Sequence, residues 1–246
     1  MASALPAVSE HNKNSADRCR SPSMISVVIP TLNAGETLTG CLAALVPAAM
    51  VGLVREVVVA DGGSSDATLE IAEEAGARVV QVARGRGVQL AAACEAAKGP
   101  WLLALHADTR LEPGWERPAR RHMADEPERA GWFSFALDDA GATARLWQAG
   151  VAARSRLGLP YGDQGLLISR ALYEAVGGYR PLPLMEDVDL VRRLGRARLR
   201  PVGARAVTSA ARYRREGYWR RSARNWRLLA RYLAGADPGD LARAYD

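Results

Sequence analysis

Residues 54–82 read "VREVVVADGGSSDATLEIAEEAGARVVQV". Val54 to Asp61 is a β-branched apolar run that closes on a carboxylate, the pattern of a buried strand. The Gly-Gly-Ser-Ser-Asp that follows permits a tight turn and supplies caps, with Asp66 the natural N-cap of a helix running to about Ala75. Gly76 is a good residue just past a helix end, and residues 77–82 form a second β-branched run. Strand, helix and strand joined by short turns make a βαβ unit with its two strands parallel.

Outward from this unit the alternation continues. "ISVVIP" (25–30) reads as a strand closed by Pro30, and residues 35–46 place Leu38, Leu42, Leu45 and Val46 at helical spacing. A helix is expected from about Gly87 to Ala97, ending at Gly99, before a fourth strand, "WLLALHAD" (101–108). Such alternation predicts an α/β fold with a mostly parallel sheet, in which ligands bind outside the carboxyl ends of the strands. The second half is less regular. "WFSFALD" (132–138) alternates like a half-exposed strand, and helices are expected over 143–157, 170–176, 184–194 and 218–233. The organisation read from this is a polar, flexible extension over 1–23, one α/β domain over 24–210 and an Arg-rich helical segment over 211–246.

Composition bounds the class. The chain has 246 residues, 48% of them hydrophobic and 24% charged, the balance of an ordinary globular protein. No apolar run approaches the ~18–20 residues of a membrane span, and the first residues lack the apolar stretch of a secretory signal. Cys19, Cys41 and Cys94 have neither an even count nor metal-ligand spacing, which suits free thiols in a reducing cytoplasm. The net charge of +6 is uneven: residues 192–231 hold fourteen arginines against the single acid Glu216. Such a block calls for an anionic neighbour, whether phosphate, nucleic acid or a lipid surface.

Three strand ends bring polar groups to one edge: Pro30-Thr31-Leu32-Asn33, Asp61 to Asp66, and His106-Ala107-Asp108. Asp61, at its strand end, suits hydrogen bonds from a base or ribose. The loop has no P-loop lysine, and "GRGVQL" (85–90) lacks the third glycine of a dinucleotide fingerprint, so hydride transfer is poorly supported. "RGRG" (84–87) opens a helix, where backbone N–H groups with Arg84 and Arg86 suit a diphosphate. Asp108 suits a hard cation, Mg²⁺ or Mn²⁺, held by one carboxylate plus substrate phosphates; His106 reads as a satisfied strand-end histidine.

"MEDVD" (185–189) crowds Glu186, Asp187 and Asp189. On a helix Glu186 and Asp189 share a face and Asp187 points elsewhere. Crowding suits a general base, while acids answering a helix dipole is the plainer reading. In "YGDQG" (161–165), Asp163 and Gln164 stand between glycines that allow close approach of a ligand, as a plain turn would also explain. For the basic end three uses compete: an anionic membrane, nucleic-acid phosphates, or Arg212 and Arg215 folding back onto a diphosphate. Trp219, Trp226, Leu229 and Leu233 fall on one helical stripe and read as core packing.

Taken together, "SVVIPTLNAGETL" (26–38), "VREVVVADGGSSDAT" (54–68), "LLALHADTRLEPG" (102–114) and "GGYRPLPLMEDVDLVRRL" (177–194) resemble, in order and spacing, a family 2 glycosyltransferase of the GT-A fold. A narrower resemblance, to the bacterial rSAM/selenodomain-associated transferase 2 subgroup, rests on "RGRGVQL", "LHADTRL", "PYGDQGLLISR", "LMEDVDL" and the late "SAARYRREG" and "NWRLL". The resemblance implies a nucleotide-sugar donor, usually UDP-linked, inversion at the anomeric carbon and Mn²⁺ or Mg²⁺ as cofactor. It maps donor-nucleotide binding onto Pro30, Thr31, Asn33, Asp61 and Ala107, with Arg84 and Arg86 beside the diphosphate. It maps the metal ligand onto Asp108, the base onto Asp187, and acceptor contacts onto Asp163, Gln164 and Glu186.

Two departures stand out: Asp61-Gly62 where the family often has two acids, and His106-Ala107-Asp108 where its D-x-D motif has two. The partners implied are the donor and a small-molecule or lipid-linked acceptor in the cytoplasm, with peripheral contact to anionic membrane and no nucleic acid. The competing reading from another class is a non-catalytic protein of the same fold, docking on membrane or nucleic acid through its basic end. A nucleotidyltransferase would need a lysine in "TLNAGETL" (31–38), which has none.

Overall fold

The computed structural model describes residues 24–156 and 158–244, without the side chains of residues 162, 212, 216 and 219–222. The extension expected over 1–23, with Cys19, and the side chains of Arg212 and Trp219 therefore lie outside the described residues. The elements alternate as β1 (Ile25–Thr31), α1 (Gly35–Ala43), α2 (Val46–Met50), β2 (Val54–Asp61), α3 (Thr68–Glu74), β3 (Arg78–Gln81), α4 (Arg86–Ala96) and β4 (Trp101–Ala104). The second half follows as β5 (Thr109–Leu111), α5 (Glu116–Asp125), β6 (Ala130–Leu137), α6 (Ala142–Arg156), a 3₁₀ turn (Gly162–Gln164), β7 (Leu166–Ser169), α7 (Arg170–Ala175) and α8 (Glu186–Leu194). A second 3₁₀ turn (Arg196–Arg198), β8 (Leu199–Thr208), α9 (Ala211–Glu216), α10 (Tyr218–Leu233) and α11 (Pro238–Arg243) complete the described chain.

One sheet carries all eight strands in the order β3-β2-β1-β4-β7-β6-β8-β5. The first four are parallel, β7 turns antiparallel beside β4, and β6 and β8 pair in parallel. β1 is the point where the order reverses, with β2 on one side and β4 on the other, and there the carboxyl ends leave a crevice for a ligand. Both faces are covered, so the strands bury alternate residues on opposite sides. Ile25, Val27 and Ile29 join Leu38, Trp115 and Phe133 on one face; Val28, Val58 and Leu102 join Leu90, Tyr173 and Leu190 on the other. A third cluster packs Phe135 and Leu137 of β6 against Ala144 and Val151 of α6 and against Tyr213 of α9. This cluster seats α6 and α9 over the end of β6.

The run expected as one strand over 101–108 stops at Ala104, turns through His106-Ala107-Asp108 and resumes as β5. The turn closes with Thr109 N–H donating to His106 O at 3.1 Å, and Ser209 N–H donating to Asp108 O at 3.0 Å. β6 is buried at every position but Ser134, not half-exposed, because α6 covers the side that alternation left for solvent. Leu229 is buried as expected, but its partner on α10 is Leu228; Trp226, half-exposed at 52%, lines a cleft and Leu233 (49%) is exposed.

Candidate active site

The edge at the carboxyl ends of β1 and β2 is built by cross-links between them. Thr31 Oγ1 donates to Asp61 Oδ1 at 3.0 Å, and Ser64 Oγ donates to the same oxygen at 2.5 Å. Gly63 and Ser64 N–H both donate to Asp61 Oδ2 at 2.8 Å. Both Asp61 oxygens are thus engaged by the chain's own loop in a site only 1% exposed, so the carboxylate shapes the turn. Burial would raise its pKa, but the bonds from Ser64, Gly63 and Thr31 outweigh burial and hold it below the usual carboxylate range.

Asn33 sits at φ 50°, a left-handed conformation that Asn tolerates, and its Oδ1 accepts from Ser65 N–H at 2.9 Å. Asp66 ties both neighbouring helices: Oδ1 accepts from Thr68 N–H at 3.1 Å, although the N-cap position of α3 is Ala67 and not Asp66 as expected, and Oδ2 accepts from Gly35 N–H at 3.0 Å, at the start of α1. Gln89, absent from the sequence reading of the site, donates from Nε2 to Thr31 O at 2.6 Å and Ala60 O at 3.0 Å. Its signal was a lone polar residue on the buried face of "GVQLAAA". Pro30 is half-buried at the same edge, and Ala107 is 8% exposed and packs into the core beneath the turn.

Asp108, Asp187, Arg86 and His106 open together on one cleft of about 190 Å³. α8 starts at Met185, whose φ of 67° marks the sharp turn that delivers the three acids. The acids then separate as the helical spacing predicts. Asp189 is buried and bridges Arg180 at 3.1 Å and Arg193 at 2.6 Å. Glu186 is fully buried and its Oε1 accepts from Arg86 Nε. Asp187 alone faces the cleft, with Oδ1 accepting from Val188 N–H at 2.8 Å and lying 3.9 Å from Arg86 Nη2. Arg86 thus joins the first residue of α4 to the first turn of α8. Burial pushes the Glu186 carboxyl up, against the pull of Arg86.

Gln164 and Glu186 do not reach the cleft as acceptor contacts. Gln164 is wholly buried, with Oε1 accepting from Ser155 Oγ at 2.8 Å and Nε2 donating to Phe133 O at 3.1 Å, so its amide holds the 161–165 turn to β6. Asp163 does line the cleft, beside Arg154, whose guanidinium carbon lies 4.3 Å over the Tyr161 ring. Burial first, then the nearby Asp187 and Asp108 charges, push the Asp163 carboxyl up to about 6, against Arg154 and Arg86. Arg84 and Arg215 are exposed and stand away from the cleft, because the strand-end loop and the outer face of α9 carry them outward.

Asp108 Oδ1 is buried without a hydrogen-bond partner, an orphaned hard oxygen aimed at the crevice. Among the described residues no group of three or more His, Cys, Asp or Glu is arranged to hold a metal ion. The donor set fits a cation held by one protein carboxylate and completed by a ligand's phosphates, and does not fit a closed protein site.

The family model for glycosyl transferase family 2 matches residues 26–165, more than half of the chain. The chain belongs to that family. No curated protein matches it at the level of sequence. Among solved structures, S. aureus TarS 1–349 in complex with UDP-GlcNAc superposes with a TM-score of 0.60 at 17% identity, covering 76% of this chain and 58% of that one. The chain therefore spans less than two thirds of the TarS fragment. Glucosyl-3-phosphoglycerate synthase from Mycobacterium tuberculosis, in complex with phosphoglyceric acid, superposes with a TM-score of 0.53 at 24% identity, covering 76% and 71%. The same synthase with Mn²⁺, uridine diphosphate and glucosyl-3-phosphoglycerate gives 0.51 at 24%, covering 76% and 71%. Likeness at these identities is likeness of fold, and the expected GT-A α/β architecture is the one observed. Among the described residues no helix is long and apolar enough to cross a membrane.

Proposed function

We propose that the protein is an inverting glycosyltransferase that moves a sugar from a UDP-linked donor to an acceptor hydroxyl. One observation carries the reading: in a chain of this family, an orphaned Asp108 oxygen and the cleft-facing Asp187 share a single cavity with Arg86 between them. Solved structures of this fold hold UDP, UDP-GlcNAc, or UDP with Mn²⁺, which supports a uridine nucleotide at the equivalent edge. In this reading the nucleotide lies along Pro30, Thr31, Asn33 and the Asp61 loop. Asp61 acts by fixing the loop's shape, since its own oxygens are engaged.

The chain's residues then divide the work. Glu186 holds Arg86 through Nε, leaving the guanidinium edge for the diphosphate and for Asp187. Arg86 Nη2, 3.9 Å from Asp187 Oδ1, helps to place that carboxylate in the cleft. Asp187 takes the acceptor proton as the hydroxyl oxygen bonds to the anomeric carbon, while the bond to the diphosphate breaks and its electron pair leaves with the phosphate oxygen. A positioned base contributes on the order of 10²–10⁴-fold. Asp108 would hold Mn²⁺ or Mg²⁺, which supplies charge neutralisation for the departing diphosphate. The late motifs quoted for the rSAM/selenodomain-associated transferase 2 subgroup support assignment to it. The acceptor-side residue retained from the sequence reading is Asp163. Trp226 and Leu233, half-exposed on arginine-rich α10, support peripheral contact with an anionic membrane from the cytoplasm.

Calorimetric titration of UDP and UDP-sugars, with Mn²⁺ or Mg²⁺ and then with EDTA, tests this on the wild type, Asp108→Ala and Asp187→Ala. Metal-dependent binding lost in Asp108→Ala and kept in Asp187→Ala is expected. Absence of binding by any uridine nucleotide sinks the donor assignment.

A further inference from the structure

Eight buried side-chain nitrogen and oxygen atoms have no hydrogen-bond partner among the described residues, and seven of them line one cleft. They belong to Asp108, Trp147, Arg154 (Nε and Nη2), Tyr161, Asp163 and Asn225; the eighth is Glu186 Oε2. Native interiors pair nearly all such groups, so their concentration in one cavity marks a surface made for a polar ligand. Asp108 is accounted for by the donor side. The remaining residues come from α6, the 161–164 turn and α10, and Asn225 lies beyond the stretch matched by the family model. Trp147, Arg154, Tyr161 and Asp163 lie within that stretch; this wall of five residues, all from the chain's second half, shares the cleft with Asp187.

Its chemistry is mixed. Trp147 Nε1 and the two Arg154 nitrogens donate, Asp163 Oδ1 and Asn225 Oδ1 accept, and Tyr161 Oη does either. Arg154 Nη2 and Asp163 Oδ1 stand 3.9 Å apart, too far to bond each other directly. A carboxylate or phosphate would satisfy Arg154 but leave Asp163 and Asn225 without donors, and would add negative charge beside Asp163, Asp187 and Asp108. An ammonium would meet Arg154 and Arg86. A hydroxyl both donates and accepts, and two neighbouring hydroxyls bridge an arginine and a carboxylate without adding charge. Val151, Leu184, Leu228 and Leu229 supply an apolar floor for C–H faces or an apolar substituent.

Resting on the glycosyltransferase reading, we propose that this wall is the acceptor's specificity subsite and that it takes a neutral polyhydroxylated acceptor bearing an apolar group, with adjacent hydroxyls on Arg154 and Asp163. The test is titration of phenyl glycosides of several hexoses, in parallel with phenyl phosphate, benzoate and benzylamine, against the UDP–Mn²⁺ form. It uses the wild type, Arg154→Gln and Asp163→Asn, with thermal melting as the folding control. Binding of at least one phenyl glycoside is expected, weakened tenfold or more in each variant while UDP affinity stays within twofold. If Arg154→Gln does not fold, Asp163→Asn alone gives the reading.

Three results would overturn the proposal. One is that no glycoside binds, or that one binds equally to wild type and variants. Another is that phenyl phosphate, benzoate or benzylamine binds more tightly than every glycoside. The third is that the variants weaken UDP-sugar relative to UDP and spare the glycosides, which assigns the wall to the transferred sugar. Failure of UDP itself to bind is a separate result against the donor assignment, because the glycoside titration still reads the wall on the nucleotide-free protein.

Discussion

Glu186 and Asp187 are adjacent in the chain and opposite in environment, and that difference makes the site. Glu186 is fully buried with one oxygen on Arg86 and the other unpartnered, while Asp187 looks into the cleft. Glu186→Gln removes the charge that holds Arg86 and leaves Asp187 untouched. Turnover is expected to fall by about 10- to 100-fold, as for loss of a residue that orients a catalytic group. Turnover unchanged in a folded variant would contradict the positioning role.

Two other carboxyls at this scale give opposite pH slopes. The Asp61 pKa is depressed below 3.8 by its loop, so its contribution is present above about pH 4 and is lost as pH falls through the folded value. Asp61→Asn should cost about 1–3 kcal/mol at pH 7, where Gly63 and Ser64 N–H lose acceptors, and should flatten acid unfolding below pH 4. Asp163, raised from 3.8 to about 6, binds a proton more tightly folded than unfolded, so stability declines as pH rises from about 4 to 6. Asp163→Asn should therefore raise stability at pH 8 by about 1–2 kcal/mol, less than the full shift because the carboxyl is partly solvated, and leave it unchanged near pH 3. Melting curves across pH 3–8 read both.

Among the elements, α4 is the hinge between the two halves of the site. Its first residue, Arg86, reaches Glu186 and Asp187; Gln89 ties the ends of β1 and β2 together; and Arg170 closes its C-terminus by donating to Gly99 O at 3.0 Å and Ala97 O at 2.7 Å. Gly87 allows the 180–182 segment to lie against the first turn. A Cβ there would stand 2.5 Å from Arg180 O and 2.7 Å from Leu182 N and press on Leu182 O. Gly87→Ala is expected to push that segment, and with it the start of α8, away from Arg86. Loss of most transferase activity with a melting temperature lowered by several degrees is the expected outcome, corresponding to an overpacking cost of ~1–3 kcal/mol. Retained activity would show that α8 is not positioned through this contact.

At the scale of the whole molecule, β1 to β4 with their helices make the edge proposed for the nucleotide. α6, α8 and α10 make the opposite wall, and the Asp108 turn lies between them. A chain ending after residue 217 loses α10 and α11, including buried Leu228, Leu229 and Leu241. It is expected to keep measurable metal-dependent UDP binding while losing transfer, as titration and a product assay would show; loss of both would mean that the nucleotide edge depends on the C-terminal helices.

The first βαβ units and the strand-end acids were legible in the chain because they are local. Period-two burial, a glycine past a helix end and a carboxylate at a strand mouth are set by neighbours in sequence, and β2 matches its expected bounds, Val54–Asp61. The separation of Glu186 and Asp189 from Asp187 was legible for the same reason, since helical spacing alone fixes which acids share a face. Gln89, Arg154, Asn225 and the internal role of Gln164 were not. Gln89 and Gln164 are held by partners up to 58 and 31 residues away, and Arg154 and Asn225 face a cleft that distant elements enclose; polar residues on an amphipathic pattern do not say whether they meet backbone, cavity or water. β7 and β8 escaped notice because their short apolar segments acquire strand partners only when the sheet closes. Sequence determined the parallel α/β half and which acids stand at its strand ends. Tertiary structure decided which of them face one cleft, because only the packing of α6, α8 and α10 over the sheet buries some polar groups with partners and leaves others pointing into the same space.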